Sequence, residues 1–334
     1  MAVVVYHYMP RLELGASAVT AAVRYSAQFG YLGVEVFFVI SGAVIALSAS
    51  NRTARSFLVN RIARLYPSFW LALALAVASQ SLFGEAVPSQ RQVLANVTML
   101  PGYLGQPFVD DVYWTLGVEW KFYGLVSIVV AMGLFHHYEA IARAWVLLVL
   151  LQHAGVTSSI LASLTLFAYG SHFAFGMLLL AIRQNGWTPQ RVGWLVISSV
   201  ACMLTSWRSH AGFVQDQTTQ SRLVAVALLA AAMLLVALCT SRELSAGATS
   251  IAQRLGSATY PLYLLHVGPM YPALQALQEY GVPNYAAVLI IVAMLAGLTS
   301  LFARYLEGRL VPYLSRTPLV MRLAGTYPKL QSTP

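Results

Sequence analysis

The sequence predicts an all-α polytopic membrane protein of about ten transmembrane helices, the first truncated at its N-terminus. Three observations carry that reading. Hydrophobic residues make up 58% of the 334-residue chain and charged residues 9%, against roughly 25% charged in soluble domains. Mean hydropathy is +0.68. The apolar residues also arrive in blocks that match a bilayer core of ~30 Å, which needs about 20 helical residues.

In chain order the blocks lie near residues 29–48, 66–83, 112–134, 141–156, 158–182, 191–207, 221–240, 256–277 and 285–306. Ala2 to Tyr8 reads as the end of a further helix, too short to cross by itself at ~1.5 Å per residue. Counting it as a first span places most of the 20 Lys and Arg residues in inner loops, as the positive-inside rule requires. Both termini are then cytoplasmic, and the expected location is a bacterial inner membrane. The expected organisation is a single membrane domain over residues 1–334, with a long extracytoplasmic loop at 84–111 and a cytoplasmic tail at 307–334. Pro88, Pro101, Gly102, Gly105 and Pro107 argue against a long regular helix in that loop. Loops of such length often bind ligands. Asp110 and Asp111, close to Trp114, suggest a polar acceptor entering from the outer side.

The formal charge of +9 does not point to nucleic acid, because the basic residues are scattered between spans and form no aromatic-interleaved stripe. Cys202 and Cys239 sit inside apolar runs with neither redox nor metal-ligand spacing. His136, His137, His153, His172 and His210 likewise lack metal spacing and are given no role. No metal is expected.

Four blocks combine polar groups with aromatics inside apolar sequence. The first is Tyr6-His7-Tyr8. In the second, Glu35, Phe38 and Gly42 recur at intervals of three and four and share a helix face, with Gly42 permitting close approach of a neighbour. Downstream, Arg61 and Arg64 lie one turn apart, and guanidinium forks suit phosphates, although plain positive-inside anchoring accounts for them equally well. The third block holds Glu119, Lys121 and Tyr123. A charge at mid-bilayer costs roughly 2.5 to 3.5 kcal/mol on insertion scales, so these side chains are expected to face protein or a wet cavity. Glu119 and Tyr123 share a face, whereas Lys121 points ~200° away and needs a different partner. The fourth block ends in Tyr263 and His266 on one face, with Pro261 expected in the first turn of its helix.

Taken together the blocks resemble the acyltransferase 3 family of integral membrane O-acyltransferases, and the similarity runs across essentially the whole chain. Ala2 to His7 is similar to the family's first helix ending in histidine, and Gly33 to Gly42 to its FFxxSG helix. Arg61 to Pro67 resembles its basic segment, Trp114 through Tyr123 its W-[ST]-L-x-x-E-x-x-F-Y block, and the stretch ending at His266 its S-x-x-x-Y-L-x-H block. The family pattern also has an arginine upstream of the histidine, at a position that would precede Met1. Its C-terminal glutamate and proline are matched loosely by Glu307 and Pro312. The extra hydrolase-like domain of some relatives is not seen, so a stand-alone form is expected.

The resemblance implies transfer of an acyl group, most often acetyl, from cytoplasmic acyl-CoA to a hydroxyl of a sugar, exopolysaccharide or lipid-linked glycan. Such chemistry needs a base for the hydroxyl, donors for the oxyanion and exclusion of water. On that basis His7 is expected to be the general base, supported by Glu119 or Glu35, with His266 the competing base. Lys121 and Tyr123 are expected to hold the oxyanion or the acceptor, and Arg61, Arg64 and Ser41 the donor. A covalent route through Ser41 lacks a local histidine and a GxSxG elbow. The alternative is a transporter or flippase that uses the buried charges as an ion or proton relay.

Overall fold

The computed structural model describes residues 2–9, 18–83, 87–240 and 246–325, apart from the side chains of 18–20, 246 and 248. Residues 84–86 of the expected outer loop and 326–334 of the expected tail lie outside the described residues. Among the described residues every regular element is helical: α1 (Ala2–Tyr8), α2 (Ala18–Ala27), α3 (Leu32–Ala49), α4 (Ala54–Phe83), α5 (Gln90–Asn96), α6 (Trp114–Ala131), α7 (Tyr138–His153) and α8 (Ser159–Leu164). The chain continues through α9 (Gly170–Asn185), α10 (Pro189–Ser209), α11 (Thr219–Thr240), α12 (Ala246–Leu265), α13 (Tyr271–Glu279) and α14 (Asn284–Leu301). A π-helical stretch, Phe302–Leu310, joins α14 to α15 (Val311–Ser315), and α16 (Pro318–Ala324) follows.

Local sequence sets several of these boundaries. Ser89, Ser158, Thr188 and Thr317 each accept a backbone N–H from the residue three further on, at the starts of α5, α8, α10 and α16. These caps satisfy amides that a helix start leaves unpaired. Pro189 and Pro318 occupy the first helical position, where a missing N–H costs nothing. Pro261 departs from expectation. It lies inside α12, near the C-terminal end of the helix and far from its first turn, because α12 begins at Ala246.

Among the described residues, four helices are long and apolar enough to cross a membrane: Ala21–Ala49, Ala54–Phe83, Thr219–Thr240 and Asn284–Ser315. A fifth candidate is the pair Asp111–Ala131 and Phe135–His153, between which the chain turns by 119°. The number falls below the sequence expectation partly because two expected spans are interrupted. The stretch 158–182 breaks after α8 at Thr165 to Tyr169, and the stretch 256–277 breaks between α12 and α13 at His266 to Met270. Irregular backbone at membrane depth is tolerated where protein or a cavity shields it.

The chain divides into two compact units and passes from one to the other between Asn51 and Arg52, inside α6 between Trp120 and Lys121, and again between α11 and α12. The first contains α1 to α3, the end of α6 and α7 to α11. Its centre is the contact of α3 with α9, where a Cβ on Gly42 would overlap the Phe173 carbonyl and one on Gly176 the Val39 carbonyl. Small residues let the two backbones touch, as in other membrane helix pairs. Phe173 stacks on Phe122 at 4.0 Å between centroids and meets Phe38 at 5.0 Å. The second unit contains α4, α5, the start of α6 and α12 to α16. Within it, Ser79 donates to the Pro269 carbonyl and Ser68 to Glu307 Oε1 at 2.7 Å, fastening α4 to the α12–α13 break and to the π-helical stretch.

Candidate functional site

In the first unit, His7 is half-buried on α1 and its ring meets that of Tyr6 edge-on at 4.9 Å. The Tyr6 hydroxyl donates to the Phe213 carbonyl, and Gly30 lies so close to Ala2 that a side chain there would strike its carbonyl. The position of α1 is therefore fixed by contacts on two sides. Glu35, expected to share a face with Phe38 and Gly42, is buried with both of them. Its carboxylate approaches His172, with Nε2 3.4 Å from Oε2, and both side chains are closed to solvent. Ser41 is buried on α3 beside the Gly42 contact. Lys121 holds its ammonium 4.2 Å from the centroid of the Phe167 ring, a cation–π contact. Tyr123 is buried in the same part of α6, and its carbonyl accepts from Ser127.

Phe167 belongs to an unusual turn. Leu166, Phe167 and Ala168 have φ of 52°, 56° and 74°, three consecutive left-handed residues without a glycine among them. Each costs roughly 1–2 kcal/mol relative to ordinary backbone. The turn is braced by Thr165, which donates to Gln152 Oε1 at 2.6 Å, and by Trp145, which donates to the Leu164 carbonyl.

In the second unit, Glu119 is buried on α6 within Coulombic range of the Tyr260 and Tyr263 hydroxyls. Tyr260 is also within Coulombic range of Arg64 and Glu307, and donates to the Leu65 carbonyl at 3.0 Å. Arg61 lies over the Phe57 ring at 5.5 Å, and Arg64, one turn on, is exposed. Arg61 is partly buried, and guanidinium groups one turn apart suit an anionic ligand.

His266 opens the break between α12 and α13 and is fully buried. Its Nδ1–H donates to the Tyr263 carbonyl at 2.7 Å. That bond leaves the lone pair of the neutral ring on Nε2, the tautomer a general base requires. Tyr263 in turn bonds to Thr115 and to the Val112 carbonyl, and Tyr113 donates to the Leu264 carbonyl at 3.3 Å.

Asp110, expected at the sequence level to greet a polar acceptor, is instead buried. It accepts the backbone N–H of Val112 at 3.1 Å and that of Gly268 at 2.6 Å. Burial pushes its carboxyl up to about 7, the two N–H bonds pulling the other way and the neighbouring Asp111 charge adding to the rise. Asp111 alone of the pair is exposed.

Sequence reasoning left His172 without a role, placed Asp110 in an acceptor-facing loop, and singled out neither Tyr113 nor Tyr260. A histidine embedded in the apolar run 170–182 and an aspartate leading into the Trp114 block were the available signals. Among the described residues, no three His, Cys, Asp or Glu side chains come together as a metal-binding group.

Residues 1–303 match the family described as acyltransferase domain, a stretch that takes in every candidate residue of the sequence analysis. A further similarity is to an exopolysaccharide production protein, ExoZ, of Rhizobium meliloti (strain 1021), 32% identical over 108 residues. That alignment covers 29% of this chain and 33% of ExoZ, so the chain spans about a third of that relative's length. No solved structure matches.

Proposed function

Because this chain belongs to the acyltransferase 3 family, we propose that it is a membrane-embedded O-acyltransferase that moves an acyl group from cytoplasmic acyl-CoA to a hydroxyl of a sugar, exopolysaccharide or other glycan. The match over residues 1–303 carries the reading. The similarity to an exopolysaccharide production protein supports a glycan acceptor, and acetyl is the proposed acyl group. The proposed setting is a bacterial inner membrane, crossed about ten times with both termini cytoplasmic.

In the proposed reaction a base removes the acceptor hydroxyl proton as the oxygen attacks the thioester carbonyl. The tetrahedral oxyanion then collapses, the C–S bond breaks, and the CoA thiolate leaves and takes up a proton. His7 is assigned the base, on a helix held by Tyr6 and Gly30. Glu119 or Glu35 is assigned its carboxylate support, and Glu35 also approaches His172. Lys121 and Tyr123 are assigned to the oxyanion or the acceptor, and Arg61, Arg64 and Ser41 to the donor. His266 is the second assignment for the base, favoured by its Nδ1–H bond to Tyr263.

The test is release of free CoA from acetyl-CoA by the purified protein in lipid nanodiscs, with and without glycan acceptors. Acceptor-dependent release that His7→Ala lowers by about 10²–10⁴-fold supports the assignment. Loss in His266→Ala with an unaffected His7→Ala transfers the role to His266.

The two interrupted helices favour a second reading, an ion- or proton-coupled transporter or flippase, in which broken helices surround a midplane site. Substrate movement into proteoliposomes without CoA release would select it.

A further inference from the structure

We infer that Asp110 is a positioning residue for His266, its buried carboxyl group gripping the broken helix at Gly268 and so fixing the turn on which the histidine sits. The bearing on catalysis rests on the acyltransferase reading and on a working role for His266; the grip itself does not.

Three contacts converge on this turn. Asp110 bridges the Val112 and Gly268 amides with its two oxygens, joining the start of the Trp114 helix to the middle of the break. Gly268 leaves the room that this bond needs, since a Cβ there would lie 2.5 Å from Asp110 Oδ2 and push it aside. Ser79 of α4 holds the next carbonyl, that of Pro269. His266 lies two residues from the gripped amide and is bonded through Nδ1 to the Tyr263 carbonyl. Within the break the Met270 and Tyr271 amides bond to the Val267 carbonyl, while the Gly268 amide is taken up by the Asp110 carboxyl group.

The grip is also proton-sensitive. The titratable groups around Asp110 are Asp111 on its own segment, Tyr113 at the start of the Trp114 helix and Tyr263 of α12, with His266 in the break two residues before Gly268. The α4 side chains fastened to the surrounding backbone, Ser79 and Gln80, carry no charge. In the closed turn the carboxyl titrates at about 7, against 3.8 when free in water. The closed form therefore holds a proton that the open form has lost across this window. Closure weakens as pH rises from about 4 to 7 and is constant above.

Hydrogen exchange of residues 266–270 in nanodiscs between pH 5 and 8, corrected for intrinsic rates, tests this. Wild-type protection is expected to fall by about 100-fold from pH 5 to 7, whereas Asp110→Asn shows no such dependence. Gly268→Ala, which expels the carboxylate sterically, is expected to expose the segment at every pH. In CoA-release assays Asp110→Asn is expected to lower kcat by about tenfold or more with the donor KM unchanged. Protection in Asp110→Asn and Gly268→Ala equal to that of wild type at every pH overturns the grip, and a pH-independent wild type, or a dependence retained in Asp110→Asn, overturns its proton sensitivity. A normal kcat in Asp110→Asn overturns the positioning role. If wild type releases no CoA at all, the acyltransferase reading fails while the exchange measurement still decides the grip.

Discussion

His172 Nε2 stands 3.4 Å from Glu35 Oε2, two side chains 137 positions apart in sequence and both closed to solvent. Glu35 is thereby a helix-joining residue of α3 and α9. Removing one member of a buried pair strands the other, at a cost of about 3–5 kcal/mol, while replacing both with apolar groups is close to neutral. Glu35→Ala and His172→Ala are each expected to destabilise by that amount, and Glu35→Leu with His172→Leu to recover most of it, read by thermal unfolding in detergent. Glu35→Gln that keeps its stability but loses turnover would select Glu35 as the support of His7.

The same helix pair has no room for a methyl group. At Gly42 and Gly176 an added Cβ meets backbone, the carbonyls of Phe173 and Val39, which cannot rotate aside as a side chain end does. Gly42→Ala and Gly176→Ala are expected to cost about 3 kcal/mol or more, above the usual range for overpacking. Folded yield and Tm measure this. Gly124→Ala is the control, since a Cβ there meets nothing within 4 Å, and its effect should stay below about 1 kcal/mol.

Arg61 and Arg64 test the donor assignment. Charge-assisted bonds to phosphate are worth roughly 1.5–3 kcal/mol each, so either arginine replaced by Ala should raise the KM for acetyl-CoA about 10- to 100-fold. Lysine at the same position should restore only part of this, because a point charge lacks the guanidinium fork. Equal KM values for Arg and Ala at both positions would reduce the pair to membrane anchoring.

Spacing made the faces legible. Glu35, Phe38 and Gly42 at intervals of three and four do lie buried together on α3, and Tyr263 and His266 bring their rings to 5.4 Å. Periodicity reports which residues share a face but not what that face meets. His172 as the partner of Glu35 is a tertiary fact, and nothing local to position 35 encodes it. The burial of Asp110 was hidden for the same reason, since a loop aspartate reads as solvated until Gly268 is brought to it. The interruption at 165–169 was illegible for a different reason. Leu166, Phe167 and Ala168 carry no glycine or proline to mark a turn, and their left-handed backbone is held by Gln152 and Trp145 from elsewhere in the fold.

That turn supplies the last prediction. Ala168 sits at φ 74°, where glycine has no Cβ penalty. Relief of about 1–2 kcal/mol of backbone strain exceeds the extra unfolded-state entropy of glycine, roughly 0.5–1 kcal/mol. Ala168→Gly is therefore expected to stabilise by about 0.5–1 kcal/mol, seen as a higher Tm. Strain at such positions often belongs to function, and here the turn carries Phe167, which holds the Lys121 ammonium. If the strained backbone serves to hold that ammonium in place, the same substitution should lower turnover as it raises Tm. Phe167→Leu, which removes the ring and leaves the backbone, should then lower turnover without the gain in Tm. A stabilised Ala168→Gly with unchanged turnover would make the left-handed turn a packing compromise alone.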